Sequence, residues 1–475
     1  MLFRSTVLFV GQIADTAMWM SLGRPLNLYL DVRLVDSVGH LALGTLGRLW
    51  GSVAIVLVGV VLAAMAIGLG ALFERLPSES VSRRYRLVVG GALVLCALAI
   101  PARWLHPRGV LLGTPTTYLL RDQATQWAEM LRERRGFAAD MAAAADRYDS
   151  VPGLLEGLGG RDVILAFIES YGMSAVDDPR YAPVIRPKLL KLESTAREAG
   201  VALVTGMLEA PSQGGMSWLG HGSVLSGLWL DNQLRYDLLL ASDRGTMIDD
   251  FEAAGYRTVA VMPAITMAWP EGIRFGYEEI YDHERIEYAG PPLNWVTMPD
   301  QFTWSFLERT VRSLQPDRPL FAEIGLISSH APWTPILPVL DDWAGIGDGA
   351  VFDPWADAGE RPEDLWRDGD RVREAYAMSV GYAVDVLASY ASEFVDEGSL
   401  VIALGDHQPA PLITGDEATR AVPVHVMATD PSLLEPFRAW GFVDGALPAP
   451  ESAPRPMSDF RDWFVTSFST VRPDA

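Results

Sequence analysis

The chain has 475 residues, 49% of them hydrophobic and 21% charged, a balance that excludes disorder and fibrous repeats and a length that suggests about three domains. Residues 1–105 carry nine Arg, no Lys and five acidic residues; with a net charge of −22 overall, residues 106–475 hold −26. A nucleic-acid backbone therefore finds no basic footprint, and the lone cysteine, Cys96, excludes intramolecular disulfides, Cys-rich zinc sites and a catalytic thiol in the acidic part.

The first elements are apolar. Residues 50–73 carry no charge, enough to cross ~30 Å of hydrocarbon as a helix. Residues 87–105 form a second such run, broken near its end by Pro101 and Arg103. Residues 2–22 are a weaker candidate, interrupted by Arg4 and Asp15, and read equally well as a buried core helix. The connector 74–86 holds Arg75, Arg83, Arg84 and Arg86, so the positive-inside rule sets it in the cytoplasm and everything after Leu105 outside. The expectation is a multi-pass protein of the cytoplasmic (inner) membrane with its acidic part on the outer, periplasmic side.

Residues 106–160 read as a juxtamembrane helical linker ending in the turn-rich VPGLLEGLGG. From 161 to 445 short Val-, Ile- and Ala-rich runs (162–168, 201–206, 257–262, 319–326, 399–405 and 423–429) alternate with helical stretches at 186–199, 218–228, 246–255, 300–314 and 371–396. This alternation predicts an α/β domain, a mostly parallel sheet sandwiched by helices. Residues 341–370 look like a long surface loop, and 446–475 a C-terminal tail.

In open α/β sheets the working groups gather at the carboxyl ends of strands. The first run ends in Glu169, the fourth leads to His330, and the fifth ends in Asp406-His407. Carboxylate, carboxylate and imidazole suit one divalent metal such as Mn, Mg or Zn. Between them lies PSQGGMSWLGHGS, where Gly214 and Gly215 free the backbone and Ser217 reads as the N-cap of a helix whose N–H groups suit a phosphate or sulfate. His221 follows four positions later on the same helix face, either assisting a leaving group or packed against Trp218. Arg235 is the nearby cation available to a phosphate; His425 reads as a buried strand residue and His283 as loop. Trp333, Trp343, Trp355 and Trp366 read as packing under the long loop or as a lipid- or sugar-facing lip.

Glu169 after the first strand, a Gly-Gly-x-Ser segment opening a helix, His330 after a mid-domain strand and a late Gly405-Asp406-His407 resemble the alkaline phosphatase and sulfatase superfamily over residues 160–430. The set is most similar to its membrane-anchored phosphoglycerol transferases, the lipoteichoic acid synthase-like branch. The resemblance implies that Glu169, Ser217, Asp406 and His407 hold one metal, that Ser217 is the nucleophile where that branch commonly uses Thr, and that His330 contacts the transferred group or protonates the leaving oxygen. Trp269 matches the tryptophan with which that branch grips glycerol phosphate, but its His and Arg partners are missing at that spacing. The Cys/Ser-x-Pro-x-Arg motif of sulfatases is missing as well.

The expected activity is transfer of a phospho-alcohol group from a lipid-linked phosphodiester donor, through a seryl intermediate, to a glycan hydroxyl or water. The alternatives are a phosphoethanolamine transferase, a sulfatase-like hydrolase, or a non-catalytic envelope lipid-binding protein.

Overall fold

Each of the six apolar runs forms a strand. The computed structural model describes residues 151–470 apart from 316, 416, 450 and 451, together with 132–139, 141, 148, 125 and scattered positions between 11 and 60. The strands are β1 (Asp162–Ile168), β2 (Ala202–Glu209), β3 (Arg257–Met262), β4 (Glu279–Asp282), β5 (Leu320–Leu326), β6 (Ser399–Gly405), β7 (Ala421–Ala428), β8 (Val443–Asp444) and β9 (Arg455–Pro456). They build one sheet in the order β4-β3-β5-β1-β6-β7-β2-β8, with β9 beside β2. The five from β4 to β6 are parallel, and β7 runs antiparallel to both β6 and β2. The mostly parallel sheet holds at its centre and gives way at the β7 side.

Helices cover both faces: α1 (Ala182–Glu198), α2 (Ser217–Ser226), α3 (Gln233–Leu240), α4 (Met247–Ala253), α5 (Asp300–Phe306), α6 (Gly369–Phe394) and α7 (Phe460–Phe468). The two-residue period of β1 shows why both are needed. Ile164, Ala166 and Ile168 pack with Ile185 and Leu189 of α1 and Val380 and Leu387 of α6. Val163, Leu165 and Phe167 face the other way, toward Leu219 of α2, Phe251 of α4 and Phe464 of α7. Residues beyond 445 thus supply a strand and a helix to this sheet. The predicted helix 300–314 is α5 followed by a π-helical turn over Leu307–Arg312.

Residues 341–370 form short turns and helices, beneath which Trp343 is buried with its indole N–H donating to Ser389 Oγ at 2.9 Å. Trp333 is buried too and donates to the Ser329 carbonyl at 2.7 Å.

Two units divide the chain, 1–20 with 24–133 and 21–23 with 134–475. In the first, the helical residues Trp19, Val53, Leu57 and Val60 are exposed. The predicted span 87–105, and most of 2–22 and 50–73, lie outside the described residues. Among the described residues no helix is long and apolar enough to cross a membrane.

Candidate active site

β5, β1 and β6 are neighbours, and Ile168 pairs with both Leu326 and Gly405. Three parallel strands that end in register deliver Glu169, the 328–330 turn and Asp406-His407 to one edge of the sheet. Ser170 then turns back with φ +55°. Its backbone N–H donates to Asp406 Oδ1 at 2.8 Å, and its hydroxyl donates to Glu169 Oε1 at 2.7 Å. Asp406 Oδ1 also accepts the His407 N–H at 2.7 Å.

The ring of His407 is fixed by the Gln408 carbonyl, 2.9 Å from Nδ1. A carbonyl only accepts, so Nδ1 carries the proton and Nε2 offers a bare lone pair. That nitrogen lies 3.2 Å from Ser217 Oγ and 3.5 Å from both Glu169 Oε1 and Asp406 Oδ2. Ser217 Oγ is also 3.3 Å from Glu169 Oε2.

Ser217 corrects the expectation of an N-cap. Met216, at φ +63°, occupies the cap position, and Ser217 is the first helical residue. Its hydroxyl therefore faces Glu169 and His407 instead of capping the helix. Gly214 and Gly215, both at positive φ, make the turn into α2, and the Gly214 N–H donates to the Gln408 carbonyl at 2.8 Å. One carbonyl thus fixes both the serine loop and the His407 tautomer. Gly220, one turn on, lets α2 lie against the Asp406 backbone, where an added Cβ would come within 2.7 Å of the carbonyl oxygen.

The electrostatics are those of a cation site. Burial works to raise the Glu169 carboxyl, but His407 and His330, with the Ser170 hydroxyl, hold it below its usual range. Burial and the charge of Glu169 push Asp406 up to about 6, against the opposing effect of His407 and His221. Burial disfavours charge on His407 too, and Asp406 and Glu169 outweigh it and raise the group.

Glu169, Asp406 and His407 each offer a ligand atom, all within 4.8 Å of one another. Four ligands at about 2.0–2.1 Å from a tetrahedral metal stand about 3.3–3.4 Å apart. The 3.2–3.5 Å separations among Ser217 Oγ, His407 Nε2 and the two carboxylates match that spacing. These residues fit a divalent metal.

His330 ends its turn with Nδ1 against the Ala331 carbonyl and its ring stacked on Trp295 at 3.9 Å, leaving Nε2 as its working nitrogen. His221 does not pack on Trp218, whose indole N–H donates to Gln233. Its ring stacks on Phe167 at 3.7 Å, and Nδ1 meets Glu323 Oε1 at 2.6 Å. Arg235 is turned to the Trp229 carbonyl, Asp231 and the Phe137 ring. Trp269 opens the short helix Pro270–Phe275 and stacks on Tyr277 at 6.3 Å. Neither is among the residues that converge on Ser217. His425 is a buried strand residue and His283 lies in a turn, both as expected.

Four residues carry the site without having stood out in the sequence: Ser170, Gln408, Trp295 and Glu323. Only Glu323 left a trace, as an acidic residue in the middle of an apolar strand run.

No protein-family model matches the sequence, and no curated protein matches it. Among solved structures, the chain is similar to the lipoteichoic acid synthase LtaP from Listeria monocytogenes, with 13% identity, a TM-score of 0.41, and 66% of this chain and 73% of that one covered. The Streptococcus pyogenes phosphoglycerol transferase GacH, in complex with sn-glycerol-1-phosphate, aligns at 12% identity and TM-score 0.39 over 63% and 74%. The C-terminal periplasmic domain of EcEptC from Escherichia coli, in a complex with Zn, aligns at 14% and 0.39 over 64% and 80%. At such scores the functional reading rests on this chain's own geometry. That geometry is an α/β sheet edge at which a serine opening a helix meets two carboxylates and an imidazole, in the chain order that the alkaline phosphatase and sulfatase resemblance implies.

Proposed function

We propose that this protein is a membrane-anchored, metal-dependent phosphotransferase or phosphodiesterase that works outside the cytoplasmic membrane and carries a phospho-alcohol group on Ser217. The single observation behind this reading is the convergence of Ser217 Oγ with His407 Nε2, Glu169 and Asp406 at metal-ligand spacing. The anchor rests on the apolar runs 50–73 and 87–105 and the arginines between them.

Glu169, Asp406, His407 and the Ser217 oxygen would hold a divalent metal, which when bound would supply Lewis-acid withdrawal of charge from the serine oxygen and the phosphoryl group. Glu169 Oε2, 3.3 Å from the Ser217 hydroxyl, takes its proton as the oxygen attacks phosphorus and returns it when Ser217 is displaced. The N–H groups of the first turn of α2 face the incoming phosphoryl group. His330 Nε2 gives a proton to the departing lipid alcohol and takes one from the glycan hydroxyl or water that displaces Ser217. The Trp295 stack holds the imidazole plane through both halves.

Intact-mass analysis of the full chain, incubated with manganese and an envelope lipid extract, tests this reading. A metal-dependent adduct that Ser217→Ala abolishes is the expected result, and its mass separates glycerol phosphate from phosphoethanolamine. Absence of both adduct and bound metal would instead favour a non-catalytic lipid-binding protein.

A further inference from the structure

A phosphodiester brings negative charge to a site that already holds two carboxylates. The cation expected from the sequence, Arg235, is engaged with Trp229, Asp231 and Phe137. His221 stands in a different position. It lies one turn after Ser217 on α2, and helical side chains lean toward the helix N-terminus, so its ring leans back in the direction of Ser217.

Two neighbours fix that ring. Phe167 of β1 stacks on it at 3.7 Å with an interplanar angle of 18°. Glu323 of β5 accepts at Nδ1 over 2.6 Å. Glu323 is 1% exposed in the middle of the sheet, and the Tyr277 hydroxyl donates to its second oxygen. Among the described residues no guanidinium or ammonium group pairs with Glu323, so His221 is the partner available to neutralise it. A carboxylate sunk this deep without a cation is costly. With Nδ1 spent on Glu323 and one ring face on Phe167, Nε2 is the edge left for a ligand.

We propose that His221, held between Phe167 and Glu323, is the cationic donor that grips a non-bridging oxygen of the substrate's phosphoryl group. This rests on reading Ser217 as the phosphoryl acceptor. Glu323 is then a positioning residue: it aims the ring and balances its charge without touching substrate. The same grip accommodates a phosphodiester with any alcohol, because it recognises the phosphoryl oxygens that all of them share.

The test uses the full chain with manganese, inorganic phosphate as the binding probe and bis(p-nitrophenyl) phosphate as substrate. His221→Asn keeps an N–H for Glu323 but lacks Nε2. It is expected to bind manganese as the wild type does, to melt within about 3 °C of it, and to bind phosphate about 10- to 100-fold more weakly, the loss of one charge-assisted hydrogen bond. Glu323→Gln is expected to weaken phosphate binding in the same direction with manganese binding unchanged, a split that a merely structural pair would not produce, and serves as the test if His221→Asn fails to fold. Phosphate affinity and kcat/KM within about threefold of wild type in a folded His221→Asn would overturn the proposal while leaving a Ser217 adduct intact. Conversely, His221-dependent phosphate binding without any Ser217-dependent turnover would overturn the transferase reading and leave the anion grip standing.

Discussion

Asp406 divides its two oxygens between architecture and chemistry. Oδ1 accepts the backbone N–H groups of Ser170 and His407, and Oδ2 turns toward the ligand cluster. Burial and Glu169 push this carboxyl up to about 6, while Asp406 and Glu169 overcome burial to raise His407. A metal requires Asp406 ionised and His407 Nε2 unprotonated, so protons and metal compete for both groups. Lowering the pH through about 6 adds the proton to Asp406. Manganese affinity is therefore expected to fall as pH falls, about tenfold per unit for each proton displaced, with protons released on binding near pH 6. Calorimetry in two buffers of different ionisation heat counts those protons, and an affinity flat from about pH 5 to about pH 7 would contradict the assignment. The metal-binding trio was legible as polar groups closing apolar runs, and Ser217 as the serine that follows Gly214-Gly215 at the start of a helix. Their supports were not, because Ser170 and Gln408 read as ordinary loop residues until the fold joins positions as distant as Ser170 and Asp406, 236 residues apart.

At the scale of elements, β7 illustrates how a strand can hold a titratable ring without using it. Thr205 Oγ1 donates its one proton to the Gly445 carbonyl at 2.7 Å, so it accepts from His425 Nδ1 at 2.9 Å. The Tyr171 hydroxyl then donates to Nε2 at 3.0 Å. The neutral ring is satisfied at both nitrogens and has no acceptor for a second proton, and burial pushes its pKa down to about 4. The unfolded chain takes that proton near 6.5, so the unfolded state binds more protons throughout the window between. Stability is thus present above 6.5 and lost as pH falls toward 4, on the order of 3 kcal/mol in all. Urea unfolding of wild type and His425→Gln at neutral and mildly acid pH reads this, and equal pH slopes in the two proteins would refute it. The six main strands were legible because their residues are buried on both faces and so read as unbroken apolar runs. β4 is four residues of mixed polarity, and β8 and β9 are two residues each. The reversed direction of β7 comes from the 406–420 connection, whose described residues hold the short helix Pro411–Thr414 and no helical crossover.

Taken as a whole, the sheet-containing unit is closed by its last helix. Arg461 of α7 is 3% exposed and donates to both oxygens of Asp250 on α4, at 2.7 and 2.9 Å. Its remaining nitrogen donates to the Gly245 carbonyl at 2.7 Å and to the Ser226 carbonyl, the last residue of α2, at 3.4 Å. The helix that presents Ser217 at one end is therefore tied at its other end to the C-terminal helix. Phe460, Phe464 and Phe468 bury the rest of α7 in the same core face as Phe167. From the sequence this stretch looked like a Pro-rich and then aromatic tail, because the partners that give Arg461 meaning lie 211 and 216 residues earlier. Replacing Arg461 with Ala takes from the buried Asp250 the guanidinium that donates to both of its oxygens, and breaking a buried pair of this kind costs about 3–5 kcal/mol. The double variant Asp250→Ala with Arg461→Ala is expected to lose less than Arg461→Ala alone, since it removes the buried carboxylate together with its guanidinium. Chemical unfolding of the three proteins measures the difference. A neutral Arg461→Ala would mean that α7 is not needed to hold α2, and so would detach the C-terminal helix from the positioning of Ser217.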